Sequence, residues 1–409
     1  MRKNKTKVIL STFGPLHLIK SAESLSDLVD IRVIQGWIPT WRSSWFLTVA
    51  SKIVGRDLRK SFRKRTPPCL SERNTSIAFA EFYLWACKLF KLQSPLKSSN
   101  NAAYIYGKAS RKYIKNADIF HVRSGSGFGG AIERAKAMGM KVIVDHSIAH
   151  PVFMDNQLRS EYAKNGVEFD LGMDNPFWAN IVEDCRKGDR LLVNSQFVKD
   201  TFVENGFDAN KIDIVLLGVR QDFIGLKNDY ALKNDTLKIL FTGGFGFRKG
   251  AEYILKALCE LDQRDFKYEM TIVGDYRAAM LLYKEITPRH VHFVSTVPQD
   301  ELKQYLAETD VYLFPSLCEG CASSGMEAMA AGVPVIATKE SGLPIANEEN
   351  GIIIESKSVS QIVESLLIIK ENMDFRKKLG SNARNLIRDN YSWEKYACRV
   401  KSIYDDMLS

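Results

Sequence analysis

Glu319 and Glu327 stand eight positions apart in SLCEGCASSGMEAMAAG (316–332), between an apolar strand and an amphipathic helix. The strand at 310–314 runs into a loop of small residues, and the loop runs into the helix at Met326, so backbone N–H groups at a helix N-terminus face whatever the loop holds. An anion is favoured there. A carboxylate at each end of the loop adds acceptors for hydroxyl groups beside the anion, which suits a sugar joined to a phosphate. Read alone, the same residues also describe an ordinary helix capped by Ser323 or Ser324.

A second loop adds positive charge. The strand at 237–242 delivers the chain to GGFGFRKG (243–250) and then to a helix beginning near Ala251. Glycines let the backbone approach a ligand closely, and the helix dipole attracts phosphate. Arg248 and Lys249 supply fixed cations, so the loop reads as a pyrophosphate site. It is not a Walker A loop, which needs Gly-Lys followed by Ser or Thr. Gly244, Gly246 and Gly250 partly match a dinucleotide fingerprint, with the third glycine one position late. A nicotinamide-dependent oxidoreductase is therefore an alternative reading, but it leaves the two glutamates unexplained. A non-catalytic sugar-nucleotide binding protein is the other alternative.

These loops need rigid elements behind them. Strands are expected at 8–11, 31–34, 118–122, 141–145, 189–194 and 211–216, then at 237–242, 268–273, 290–294, 310–314, 335–338 and 351–354, with helical periodicity between them. Alternation of this kind predicts an α/β chain with two Rossmann-like, doubly wound units of parallel sheet. In such sheets ligands bind where strands end and loops enter helices, so two units facing one another collect both sets of loops in a cleft. The expected division is 1–224 and 225–390. The polar, aperiodic segment at 225–235 reads as the linker, and a helix within 391–409 is expected to return to the first unit.

Composition sets further bounds. A chain of 409 residues, 45% hydrophobic and 26% charged, is too long for one ordinary core. No apolar run reaches the ~20 residues that span a bilayer, because Glu81 and Lys88 interrupt the best candidate. The start reads as a first strand rather than a signal peptide. Seven scattered cysteines fit reduced thiols and a cytoplasmic chain. Cys318 and Cys321 form a C-x-x-C without the thioredoxin-like context or the second pair that redox or zinc chemistry requires.

The net charge of +9 is uneven. Lys52, Arg56, Arg59, Lys60, Arg63, Lys64 and Arg65 crowd one stretch, preceded by Trp37, Trp41, Trp45 and Phe46 and followed by the aromatic-rich segment 79–90. Basic residues beside tryptophans suit an anionic membrane surface, where each cation adds about 1 kcal/mol. No nucleic-acid module accompanies them, so nucleic acid is not expected as a partner.

The runs FTGGFGFRKGAEYILKAL (241–258), IVGD (272–275) and DVYLFPSLCEGCASSGMEAMAAGVPVIATKESG (310–342) together resemble the retaining glycosyltransferases of family 4, which have the two-domain GT-B fold and an E-x7-E motif. The resemblance continues through LLVNSQFVKDTFVENG (191–206), VLLGVRQDF (215–223) and YSWEKY (391–396), and covers roughly residues 118–408. It implies a nucleotide-diphosphate sugar as co-substrate, with no further cofactor; with the basic, tryptophan-rich stretch beside it, a lipid-linked or glycan acceptor is expected.

The resemblance also implies roles. Lys249 would contact the donor diphosphate, Glu327 the ribose hydroxyls and Glu319 the transferred sugar. Ser323, Ser324 and Gly325 would lend N–H groups or hydroxyls, and the backbone at Val297 and Pro298 would meet the base. Family members often carry an arginine where this chain has Gly244, a charge that Arg248 is placed to supply. The amino-terminal loop STFGPLHL (11–18) lacks the family's paired glycines and offers only Gly14 on the acceptor side. After the strand in KVIVDHSIAH (141–150), either His146 or His150 matches the family's active-site histidine. No D-x-D carboxylate pair is present at a strand end, and the expected reaction uses Lys249, Arg248 and the helix dipole in place of a metal.

Overall fold

The computed structural model describes residues 5–14, 17–39, 47–49, 51–52, 65–169 and 173–409. Runs of consecutive apolar residues such as Ile239, Leu240 and Phe241 bury both faces of a strand, which parallel sheets covered by helices allow. Two such sheets form among the described residues. The first contains β1 (Lys7–Thr12), β2 (Asp30–Gln35), β3 (Asn74–Ser76), β4 (Ile119–Arg123), β5 (Lys141–His146), β6 (Arg190–Val193) and β7 (Ile212–Ile214), ordered β3-β2-β1-β4-β5-β6-β7. The second contains β8 (Leu237–Thr242), β9 (Tyr268–Val273), β10 (Val291–Val294), β11 (Val311–Phe314), β12 (Val335–Thr338) and β13 (Ile352–Ile354), ordered β10-β9-β8-β11-β12-β13. Every strand pair in both sheets is parallel.

The helices of the first unit include α1 (His17–Leu25), α2 (Ala78–Leu89), α3 (Pro95–Ser110), α4 (Ala131–Ala137), α5 (Pro151–Lys164), α6 (Pro176–Lys187) and α7 (Gln196–Glu204). Those that follow are α8 (Ala251–Gln263), α9 (Arg277–Leu282), α10 (Gln299–Glu308), α11 (Ser323–Ala331), α12 (Val359–Glu371), α13 (Met373–Asn390) and α14 (Trp393–Leu408). The strand order reverses between β1 and β4 in the first sheet and between β8 and β11 in the second. A reversal sends successive loops apart and leaves a crevice between them. In the second sheet the two loops that flank it are 243–250 and 315–322, the two singled out by their chemistry.

The terminal helix α14 starts at Ser392, whose hydroxyl accepts the Lys395 N–H at 3.2 Å. Its buried face, Tyr396, Ala397, Val400, Tyr404 and Met407, joins Val8, Leu10, Leu18 and Leu25 in one core of the first unit. Each fully buried side chain of this size contributes about 2 kcal/mol. The Tyr404 hydroxyl also meets His121 Nδ1 of β4 at 2.6 Å, so the helix is fixed by a polar contact within the apolar one.

Two segments pass between the units side by side. The Val219 N–H donates to the Tyr391 carbonyl at 2.7 Å, and a Cβ on Gly218 would stand 2.5 Å from the Trp393 nitrogen. The segment 225–235, polar by composition, is strapped to the second unit. Buried Lys227 pairs with Asp310 at 3.0 Å, and the Tyr230 hydroxyl donates to the Gly332 carbonyl at 2.8 Å.

Candidate functional site

At the reversal of the second sheet the glycine-rich loop is fixed by one tight approach. Gly250 has φ +73°, and a Cβ there would lie 2.2 Å from the Pro315 carbonyl oxygen. Only glycine satisfies both conditions. The loop is also stitched to the end of β11, since the Leu317 N–H and the Ser316 hydroxyl donate to the Arg248 carbonyl at 2.8 and 2.9 Å. Backbone contacts therefore set the register between the cations and Glu319.

Arg248 and Lys249 both form ion pairs with the Glu319 carboxylate. Arg248 Nη1 also donates to the Cys318 carbonyl at 2.9 Å, and Lys249 Nζ lies 4.6 Å from the centroid of the Phe314 ring. Burial lowers the Lys249 pKa, with Glu319 opposing the shift. Gly244 and Gly246 are open on their Cβ side, and Gly244 is exposed at the lip of the loop. Arg248, four residues beyond Gly244, carries the loop's second cation to Glu319.

Helix α11 begins at Ser323, three residues earlier than its apolar periodicity suggested. Ala322 occupies the cap position and no side chain caps the helix, so Ser323 and Ser324 lie inside the first turn. The Ser324 hydroxyl instead accepts from the Tyr312 hydroxyl at 2.9 Å, and Tyr312 also meets the Thr242 hydroxyl at 2.9 Å. This chain ties α11 to β8 and β11. Gly325 packs against Leu343, where a Cβ would come within 2.5 Å.

Glu327, one turn further, faces a cleft of ~700 Å³ between the two units. Ser323, Arg220 and Gln299 share its wall, and His17 and Trp393 line it from the side of the first unit. Burial raises the Glu327 pKa to about 7, with Arg220 pulling the other way. Arg220 bonds Gln299, which directly follows Pro298. Pro298 is exposed and Val297 packs against the second core; of this loop only Gln299 lines the cleft.

The first unit has a separate cavity of its own. His146, at the end of β5, is buried, and its Nδ1 meets the Ser124 hydroxyl at 2.8 Å. Its Nε2 has no hydrogen-bond partner among the described residues. Burial pushes its pKa down to about 3, assisted by Arg123, so the ring is neutral. His146 and Gly14 line one cavity of ~460 Å³, together with Ser124, Ser126, Phe13 and Trp178. His150 is placed differently. Its Nδ1 accepts the Val152 N–H at 3.3 Å as the cap of α5, and its ring packs on Phe202 and Phe207.

Two features escaped the sequence. Asp145, beside His146, is the hub of a buried charge cluster: His17 Nε2 stands 3.1 Å and Arg123 Nη1 2.8 Å from its carboxylate, with His121 Nε2 at 3.9 Å. Burial would raise this carboxyl, but His17, His121 and Arg123 outweigh it and hold it well below the usual range. The second feature is the contact between units. The Ser195 hydroxyl donates to the Gly320 carbonyl at 2.5 Å, and a Cβ on Gly320 would lie 2.0 Å from the Ser147 carbonyl. Gly320 is more than a hundred residues from both Ser195 and Ser147 in sequence, so no local spacing reveals these contacts.

Residues 223–386 match the family described as Glycosyl transferases group 1. An uncharacterised glycosyltransferase of Methanocaldococcus jannaschii is 25% identical over 228 residues, 54% of this chain and 60% of that protein. The amylovoran biosynthesis glycosyltransferase AmsK of Erwinia amylovora is 32% identical over 170 residues, 39% of this chain and 42% of its own length. The chain spans 55–60% of the length of the first curated relatives it matches. Among solved structures, the Anabaena protein HepE in complex with UDP-glucose superposes with a TM-score of 0.62 and 13% identity, covering 98% of this chain and 99% of that one. The fold is the GT-B arrangement of two parallel-sheet, Rossmann-like domains.

Proposed function

We propose that this chain is a retaining glycosyltransferase that takes a sugar from a nucleotide-diphosphate donor. The observation that carries the reading is the convergence of Arg248 and Lys249 on Glu319, in the loop that leads into the uncapped N-terminus of α11 at the strand-order reversal of the second sheet. Cations and free helix N–H groups suit a diphosphate, and a carboxylate beside them suits sugar hydroxyls. The match of this half to group 1 glycosyl transferases supports the assignment, and the UDP-glucose complex of HepE supports a nucleotide-sugar donor.

In the proposed reaction the bond from the sugar's anomeric carbon to the diphosphate oxygen breaks as the acceptor oxygen bonds to that carbon on the same face. The acceptor proton passes to the departing phosphate oxygen. Arg248, Lys249 and the α11 dipole stabilise the negative charge that develops on the diphosphate, which is the role otherwise given to a divalent ion. Glu319 orients the sugar and Glu327 holds the ribose hydroxyls in the ~700 Å³ cleft. His146 and Gly14 face the acceptor across the cavity of the first domain. The acceptor is a lipid-linked molecule or a glycan, on the cytoplasmic side of an anionic membrane.

A thermal-shift screen of nucleotide sugars tests the donor, because a ligand that binds only the folded state raises Tm by mass action. Turnover with the hit, in chelator, tests metal independence, and the anomeric configuration of the product tests retention. Lys249→Ala or Glu327→Ala with full turnover would overturn the site assignment.

A further inference from the structure

Helix α2 presents Phe79, Phe82, Trp85 and Leu89 to solvent, 70, 43, 40 and 75% exposed. At 100° per residue these four fall within one third of the helix circumference. Phe90 and Leu92 extend the face past the helix end, 67 and 65% exposed. Trp37 stiffens it from beneath, with ring centroids 5.2 Å from Phe82 and 5.4 Å from Trp85. The one carboxylate on α2, Glu81, is buried off this face and bonds Arg65 at 2.6 Å. An apolar face of this extent, left bare on the outside of a domain, marks an interaction surface.

Charge identifies the occupant. Between residues 52 and 97 the sequence has eleven Lys or Arg against three Asp or Glu, so this stretch holds nearly all of the chain's net +9. Lys88, Lys91 and Lys97 are exposed beside the face itself. A second copy of the chain would bring the same positive charge against itself. A nucleic-acid duplex, its bases already stacked, would satisfy the cations and leave the rings in water. An anionic bilayer accommodates both, with aromatic rings at headgroup depth and lysines among the lipid phosphates.

We propose that α2 docks this protein on an anionic membrane surface, with Phe79, Phe82, Trp85 and Leu89 inserted and Lys88 and Lys91 at the headgroups. Among the described residues no helix is long and apolar enough to cross a membrane, so the attachment is in the plane of the interface. The docking helix is coupled to the site. It packs on α3, where Asn101 Nδ2 donates to the Tyr83 hydroxyl at 3.2 Å, and Ser99 and Ala103 of α3 line the cavity that holds His146. The inference rests on the reading of a lipid-linked acceptor only in explaining why a membrane is approached.

The test is co-sedimentation of the full chain with vesicles of phosphatidylcholine alone or mixed with phosphatidylglycerol. Binding is expected to the mixed vesicles and to be lost at high salt. Replacing Phe79, Leu89 and Phe90 with serine is expected to lower partitioning by about tenfold or more. Lys88→Glu with Lys91→Glu is expected to remove the preference for anionic lipid. Tm and the nucleotide-sugar thermal shift should stay unchanged in both variants. Equal sedimentation of the serine variant, no anionic preference, or an apolar face occupied instead by self-association that the serines abolish would each overturn the proposal. Failure of every nucleotide sugar to shift Tm would remove the transferase reading and leave vesicle binding standing.

Discussion

Lys249 and Glu319 form an ion pair at the strand-order reversal of the second sheet, with side chains only 15 and 13% exposed. The carboxylate thereby occupies the ground on which a diphosphate would sit, and the donor must displace it to reach the cation. Glu319→Gln is expected to tighten binding of a nucleoside diphosphate severalfold while lowering sugar transfer by about a hundredfold, a loss typical for one positioned polar group. Calorimetry with the diphosphate and initial rates with the sugar donor separate the two effects. Parallel loss of both would show that Glu319 serves only to hold the loop.

Glu327 should make donor binding depend on pH. Its folded carboxyl titrates near pH 7, raised by burial. Between the ordinary carboxylate range and that value the folded protein holds more protons than the unfolded one, so this group's contribution to stability is present at low pH and lost as pH rises through about 7. Ribose hydroxyls donate best to the ionised form, so donor affinity should rise over the same interval. Glu327→Gln is expected to flatten both profiles. A donor affinity that stays level from pH 6 to 8 in the wild type would rule the assignment out.

The two histidines should separate cleanly. His150→Ala removes the cap of α5 and is expected to cost about 1 kcal/mol of stability while leaving donor affinity unchanged. His146→Ala is expected to reduce transfer at least tenfold through lost contacts in the acceptor cavity. Because His146 titrates near pH 3, no limb of the rate profile between pH 5 and 8 should disappear with it. Denaturant melts beside kcat and KM measurements distinguish the two roles, and the reverse pattern would exchange them.

Gly250→Ala is expected to lower stability by roughly 2–3 kcal/mol, since the new methyl meets the Pro315 carbonyl at a left-handed φ. The loop must move, and Arg248 and Lys249 move with it. Donor binding should weaken even at temperatures where the variant is folded. An unchanged Tm would mean that the loop is not fixed as described.

The strands were legible because parallel sheets write themselves as apolar runs, and all twelve expected strands form within two residues of their expected ends. The one missed, β3, is Asn-Thr-Ser at the sheet edge, where no burial imposes a pattern. Arg248, Lys249, Glu319 and Glu327 could be found because each follows a strand end with a local signature. Asp145, His17 and Ser195 could not, as their partners are brought together by topology alone. The start of α11 was also misplaced, because its first turn is made of small residues that carry no periodicity. The expected basic membrane stretch falls partly outside the described residues, at Arg56, Arg59, Lys60, Arg63, Lys64, Trp41, Trp45 and Phe46.

The side-by-side passage of the chain at Val219 and Tyr391 has a mechanical consequence. A single tether lets one body swivel freely against the other, whereas two covalent strands bonded across their backbones act like the paired leaves of a door hinge. Twisting across them would break the bond between Val219 and Tyr391 or lift Trp393 off Gly218, and swinging the units apart about them would part Lys164 from Glu252 and Glu161 from Tyr253. The two units are thus braced twice, by the paired crossings at Val219 and Tyr391 and by Gly320 seated against Ser147.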